Sequence, residues 1–260
     1  MKKIKLSNVF LFLVLIFIYL PIFLVILYSF NESKLSSIWS GFSLTWYHTL
    51  FKNRTLFLAL KNSLILAFNT SIVSAIIGTL GAYGMHGSKN KRMEFIAILP
   101  MLIPEIIMGM VFLSMFTDLH LPFGMLTLTL AHTSFCFPFI YMLVKARLKD
   151  MDPSMLEAAR NLGANEVRVF FDIVLPYILP SVFAGMLLSF ATSMDDVIIS
   201  GFVSGVSTST LPVKIYSMLK VGVTPDVNAL CTLMILVTLL LFGLARWIII
   251  REKKKIKENI

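Results

Sequence analysis

Charge is what this 260-residue chain is short of. Asp, Glu, Lys and Arg make up 14% of it, where a soluble domain carries roughly a quarter. Hydrophobic residues reach 57%, a balance that excludes an ordinary soluble protein. Cysteine is scarce too. Cys136 and Cys231 both sit inside apolar runs, so they read as small buried hydrophobes, with neither disulfide nor zinc spacing. No Gly-x-x-x-x-Gly-Lys-[Ser/Thr] phosphate loop occurs, so ATP hydrolysis by this chain alone is not expected. A His-Glu-x-x-His pair and a nucleophile elbow are also missing. Internal repeats and low-complexity tracts are absent as well, and residues 1–260 read as one membrane domain.

What is present is apolar sequence in lengths near the roughly 20 residues that a bilayer core requires. Six spans are expected, at about 9–30, 64–85, 95–116, 125–144, 177–203 and 228–250, giving an all-α membrane protein. The first run follows Lys2, Lys3 and Lys5, as in a signal peptide. It is too long for a typical apolar region of roughly 7–15 residues and lacks a small-x-small cleavage site, so it reads as a retained span. The net charge of +9 does not point to nucleic acid, because the basic residues lie in short loops beside apolar spans.

Their distribution sets an orientation. One side holds Lys2, Lys3, Lys5, Lys89, Lys91, Arg92, Lys145, Arg147, Lys149, Arg160, Arg168 and the cluster from Arg246 to Lys257. The other holds Lys34, Lys52, Arg54, Lys61, Lys214 and Lys220. By the positive-inside rule, both termini and residues 150–176 are cytoplasmic. On the outer side, a loop from Asn31 to Lys61 carries Trp39, Trp46 and Tyr47, aromatics suited to a membrane interface. A second outer connection, Ser204 to Asp226, contains an amphipathic stretch from Leu211 to Val221.

The longest polar passage is Glu157 to Pro176, EAARNLGANEVRVFFDIVLP. Asp152 before Pro153 predicts a helix start, and Gly163 predicts its stop. Asn165 predicts the cap of a second short helix with an apolar stripe at Val167, Phe170, Phe171 and Val174, ended by Pro176. Ala159 and Gly163, one turn apart, would let a partner backbone come close. By physics alone this is equally an amphipathic loop lying on its own membrane domain. Its spacing, however, resembles the EAA loop of ABC-importer permeases. Glu157, Ala158, Ala159, Gly163, Ile173, Leu175 and Pro176 match that pattern without departure. The resemblance implies coupling helices between the fourth and fifth spans that dock on a cytoplasmic ATPase.

Three acids fall where hydrocarbon is expected. Glu105 lies about 15 Å along the third span, flanked by Pro100 and Pro104 and by Gly109, so the span is expected to be interrupted there. Asp195 and Asp196 lie in the outer half of the fifth span, and on a continuous helix they point about 100° apart. An acid at the bilayer centre costs roughly 2.5–3.5 kcal/mol on insertion scales, which favours an interior path or a partner. The competing readings are a protonated Glu105 bonded to broken backbone, and an ion pair of Asp195 or Asp196 with Lys214 or Lys220, or a helix cap at a break. His132 reads as a hydrogen-bonded packing histidine, and Pro138 as a kink.

Further stretches resemble the spermidine/putrescine-importing branch of the same permease family. They are Ser193-Met194-Asp195-Asp196-Val197, Leu211-Pro212-x-Lys214-Ile215-Tyr216-Ser217-Met218, Val221-Gly222-Val223 and Asn228-Ala229-Leu230, with Pro104-Glu105 where aspartate is the commoner acid. The resemblance implies a bacterial inner-membrane permease that works with two copies of a cytoplasmic ATPase, a second homologous permease and an extracytoplasmic polyamine-binding protein. ATP and magnesium would sit on the ATPase, and no cofactor on this chain. The chemistry agrees, since a flexible chain of ammonium groups needs carboxylates along an apolar slot, and Glu105, Asp195 and Asp196 can supply them. Another small cationic or polar solute is the alternative within the family. An intramembrane aspartyl enzyme is the rival outside it, but that chemistry needs two carboxylates facing one another across a water.

Overall fold

A computed structural model describes residues 6–33, 38–88, 90–221, 225–237 and 239. Lys2, Lys3, Lys5, Lys34, Lys89, Gly222, Val223 and the Arg246–Lys257 cluster lie outside the described residues. So does most of the expected sixth span beyond Leu239.

Among the described residues the architecture is helical, with one isolated bridge between Asn31 and Phe42. The helices are α1 (Leu6–Tyr28), α2 (Thr45–Lys52), α3 (Arg54–Gly84), α4 (Lys91–Leu102), α5 (Glu105–Asp118) and α6 (Met125–Lys149). They continue with α7 (Pro153–Asn161), α8 (Glu166–Val169), a π turn (Phe170–Val174), α9 (Leu175–Asp195), α10 (Ile198–Val203) and α11 (Leu211–Val221), and with α12 (Pro225–Val237). Among the described residues four helical stretches are long and apolar enough to cross a membrane: Val9–Tyr28, Arg54–Gly84, Met125–Lys149 and Glu166–Asp195. The bent pair α4–α5 makes a fifth if it counts as one span.

Two compact units form, Met1–Thr55 with Ser217–Ile260, and Leu56–Tyr216. In the first, Asn31 organises the turn after α1. Its side chain donates to the Ile38 carbonyl (2.7 Å) and accepts from the Ser40 N–H (3.0 Å). Its own carbonyl accepts from Trp46 Nε1 (2.6 Å). Trp46 is therefore buried, its indole N–H closing this turn. Trp39 does remain exposed.

The second unit is built on α6, which runs unbroken through Pro138. Ile140 is fully buried between two glycines. A β-carbon on Gly78 of α3 would lie 3.0 Å from Ile140 Cβ, and one on Gly185 of α9 2.8 Å from Ile140 Cγ1. Small residues that let helix backbones approach are the usual means of packing in a bilayer, where lipid is as apolar as the interface. The core continues through Tyr141, Val144, Leu148, Ile178 and Val182. A second core gathers Leu66, Met108, Phe116, Leu128, Ala131, Ile199 and Val203 around α5 and α10.

Two spans differ from expectation, the second and the fifth, while the interruption expected in the third is present. α3 starts ten residues earlier than Leu64, since Arg54–Ser63 contains no Gly or Pro to stop a helix that leaves the apolar region. The third span breaks at Ile103–Pro104, with α4 and α5 bent by 100°. Ile103 is extended (ψ 131°), as the residue before a proline prefers. Pro100 stays inside α4. Gly109 does not help to break the span. It admits Phe202, whose ring would sit 2.4 Å from a β-carbon at that position. The fifth span is not continuous from 177 to 203 either: α9 stops at Asp195 and α10 begins at Ile198.

The Gly78–Ile140–Gly185 contact is expected to limit stability. Gly185→Leu should lower the unfolding midpoint in detergent, by the equivalent of about 1–3 kcal/mol, and Ile140→Ala in the same chain should restore part of it. An unchanged midpoint for Gly185→Leu contradicts this packing.

Candidate functional site

The two helix breaks meet at one cleft. It has a volume of about 330 Å³ and is lined by Glu105, Phe135, Phe139, Thr192, Asp195, Asp196, Val197 and Ile198. All three acids singled out in the sequence thus share one cavity. Glu105 stands in the first turn of α5, directly after Pro104. Asp195 ends α9 and is exposed. Asp196 has left the helix (φ −65°, ψ 124°). The expected divergence of about 100° between neighbours therefore does not hold, and both aspartates line the cleft.

Asp196 is the buried one, at 8% exposure. Its Oδ1 accepts from the Ile199 N–H (3.1 Å) and its Oδ2 from the Ser200 N–H (2.7 Å). A carboxylate that receives the free N–H groups of a helix start is doubly favoured, by hydrogen bonding and by the dipole. The helix-cap reading thus describes Asp196. Its Oδ2 also lies 3.3 Å from His132 Nε2. His132 is fully buried on α6. It bonds Ser193 Oγ through Nδ1 (2.9 Å) and Ser200 Oγ through Nε2 (3.0 Å). As expected it is a hydrogen-bonded packing histidine, one that touches both sides of the α9–α10 break.

With Asp196 engaged in this way, Asp195 and Asp196 do not form a carboxylate pair facing one another across a water, as an aspartyl enzyme requires. What the cleft offers is negative potential beside aromatic surface. The C-terminal end of α9 adds to it, since the last carbonyls of a helix carry its negative pole. Phe135, Phe139, Ser193 and Ser200 were not singled out as site residues. One signal existed: His132, Phe135 and Phe139 are spaced i, i+3, i+7 and so share one face of α6.

The polar loop forms a second feature. Asp152 caps α7, accepting from the Ser154 N–H (2.9 Å), and that bond holds its carboxyl below the usual range. Gly163 has φ +83°. The Ala164 N–H reaches the Ala159 carbonyl (3.1 Å) and the Gly163 N–H the Arg160 carbonyl (2.9 Å), a Schellman stop that needs a left-handed residue. Asn165 caps α8 through the Arg168 N–H (2.8 Å). Arg160 spans the turn to Glu166 (Nε–Oε1 2.8 Å, Nη2–Oε2 3.2 Å). This pairing holds the Glu166 carboxyl down and raises the Arg160 guanidinium.

Two expectations for the loop are corrected. Ala159 is buried in the chain's own core beside Val169 and Val174, so it does not form an open small-residue face with Gly163. Gly163 alone is open, with nothing within 4 Å of where a β-carbon would stand. Pro176 does not end the second helix, which runs from Glu166 to Asp195. A π turn precedes it, closed by the Leu175 N–H on the Phe170 carbonyl; an α-turn would drive the proline ring against the carbonyl four residues back. Residues five apart stack in a π turn. The buried pair is therefore Val169 and Val174, while Val167 and Phe171 are exposed. Glu157, Ala158 and Pro176 are exposed, and Ile173 and Leu175 half-buried.

Known proteins share both the sequence and the fold. A family model described as the binding-protein-dependent transport system inner membrane component matches residues 74–253. The spermidine/putrescine transport system permease protein PotC of Haemophilus influenzae is 40% identical over 251 residues, covering 95% of this chain and 98% of that protein. PotC of Escherichia coli K12 is also 40% identical, with coverages of 92% and 91%. The putrescine transport system permease protein PotI of the same strain is 36% identical, with coverages of 93% and 90%. Among solved structures, a bacterial ABC transporter involved in alginate import aligns at TM-score 0.73 and 15% identity. That alignment covers 92% of this chain and 94% of the other. The MetNI methionine ABC transporter aligns at TM-score 0.60 and 18% identity, with coverages of 80% and 98%.

Sequence similarity over most of the chain defines the inner-membrane component of a binding-protein-dependent transport system, and the solved structures share its fold. The chain belongs to the family of binding-protein-dependent transport system inner-membrane components.

Proposed function

We propose that this chain is the permease subunit of an ATP-driven polyamine importer, and that the acidic cleft is where the cation passes. The observation that carries the reading is the meeting of Glu105, Asp195 and Asp196 with Phe135 and Phe139 in one cavity of about 330 Å³. A polyamine is an alkyl chain with ammonium groups at intervals. Carboxylates match the ammoniums, and aromatic faces suit both the methylenes and the cation. Relatives at 40% identity named for spermidine and putrescine transport support the same substrate class. An anion would meet three like charges here, and a neutral sugar has no use for them.

In this reading the chain has six spans with both termini cytoplasmic. It pairs with a second, homologous permease, two copies of the ATPase and an extracytoplasmic polyamine-binding protein. ATP and magnesium stay on the ATPase, and no cofactor binds this chain. The loop through Glu157, Ala158, Ala159, Gly163, Ile173, Leu175 and Pro176 transmits the ATPase motion. Three properties suit it to that task. Ala159, Val169 and Val174 root it in the main core, Arg160–Glu166 braces its turn, and Leu162 stands 89% exposed at its tip.

Glu105→Gln, Asp195→Asn and Asp196→Asn keep shape and remove charge. All three should insert normally. Glu105→Gln and at least one aspartate variant should lose about tenfold or more of polyamine uptake with the binding protein saturating, as expected for one charged hydrogen bond of about 1.5–3 kcal/mol. Parental uptake by all three overturns the substrate path. For the loop, Cys136 and Cys231 are first replaced by serine and a cysteine is placed at Ser154. It should be labelled from the cytoplasmic face only and should cross-link to the co-purified ATPase. Labelling from outside intact cells contradicts the topology.

A further inference from the structure

The two adjacent aspartates of the cleft do not stand in equivalent places. Asp195 is exposed at the end of α9. Asp196 is buried, with Oδ1 on the Ile199 N–H, Oδ2 on the Ser200 N–H and His132 Nε2 at 3.3 Å. His132 bonds Ser193 Oγ through Nδ1 (2.9 Å) and Ser200 Oγ through Nε2 (3.0 Å), so both ring nitrogens are engaged within this buried network. The neighbouring ring of Phe135, tilted by 51° and 5.2 Å from the imidazole between ring centres, also lines the cleft. His132 thus reaches from α6 to Ser193 on α9 and Ser200 on α10 while staying out of the cavity itself.

We propose that His132 is a positioning residue that locks Asp196 onto the start of α10, leaving Asp195 and Glu105 as the two carboxylates that meet an alkylammonium cation. This division rests on the cation-path reading and refines it. Asp196 accepts from two successive backbone N–H groups and has the imidazole Nε2 of His132 at 3.3 Å, so turning it toward a passing ammonium would strip a helix start of its cap inside the bundle. Asp195 carries no such commitment to α10. Glu105, exposed in the first turn of α5, approaches the same cavity from the other broken helix. Substrate contact and junction geometry therefore fall to neighbouring residues of the same type, and His132 decides which does which.

The test is esterification of carboxyl groups by a diazo reagent in the purified importer, read residue by residue by peptide mass spectrometry, with putrescine as the protecting ligand. The parental protein should be labelled at Glu105 and Asp195 and remain unlabelled at Asp196, with putrescine suppressing both labels. His132→Ala should bring Asp196 into reaction, and His132→Gln, which keeps a donor and an acceptor, should restore its protection. In uptake assays, His132→Ala and Asp196→Asn should each lower the maximal rate. Combining them should add little, because they break one interaction, whereas His132→Ala with Asp195→Asn should combine fully. Equal labelling of Asp195 and Asp196 in the parental protein overturns the division, as does an Asp196 that stays unlabelled in His132→Ala. Should the labelling pattern hold while putrescine protects nothing, the polyamine reading fails and the positioning role stands.

Discussion

A backbone that leaves its helix within a bilayer exposes amide and carbonyl groups that water cannot satisfy, and it is tolerated only against protein or a wet cavity. Among the described residues this chain breaks a helix in its apolar region twice, at Ile103–Pro104 and at Asp196–Val197. The two breaks open on the same cleft. Proline makes the first, and a carboxylate makes the second by capping the N–H groups of Ile199 and Ser200. Each break sets an acid at the lip of the cavity, which is why an acidic site arises here without any acid standing in the middle of a helix. Gly109 presses α5 against Phe202 and ties the two broken segments into one packed pair.

The same molecule has a second rigid element joining the core to the polar loop. α6 threads between Gly78 and Gly185 at Ile140, and its core extends through Val144, Leu148 and Met151 to Ala159, Val169 and Val174 of the loop. A push on α7 or α8 therefore acts on side chains packed at interior density, and close packing transmits displacement. α9 carries both ends of this line. It starts at the π turn beside the loop and ends at Asp195 in the cleft.

Local chemistry made much of this legible in the sequence. Asp152, Asn165 and Gly163 announced the loop's caps and turn because each of those roles needs a particular residue type. Pro104 announced the first break, and α11 runs over the same Leu211–Val221 read from its amphipathic pattern. The second break carries no proline or glycine at Asp196–Val197. It depends on bonds that Asp196 makes with the residues after it and with His132 from another helix, a tertiary fact with no local signature. Pro176 misled for the complementary reason: its usual meaning as a stop was overridden by a π turn. Ala159 was read as an open surface, because nothing in a helical stripe says which neighbour will cover a small residue. The three acids were found because charge is so rare in this chain. Their meeting in one cavity was not visible until two separate spans were folded together.

The most direct measurement is a cryo-electron microscopy map of the assembled importer, with its ATPase, trapped in the presence of putrescine. The account predicts diamine density in the cleft between α5 and the α9–α10 break. One ammonium should lie within about 3 Å of the Glu105 and Asp195 carboxylates, while Asp196 still caps α10. Density for the diamine on a path that avoids this cleft would contradict it.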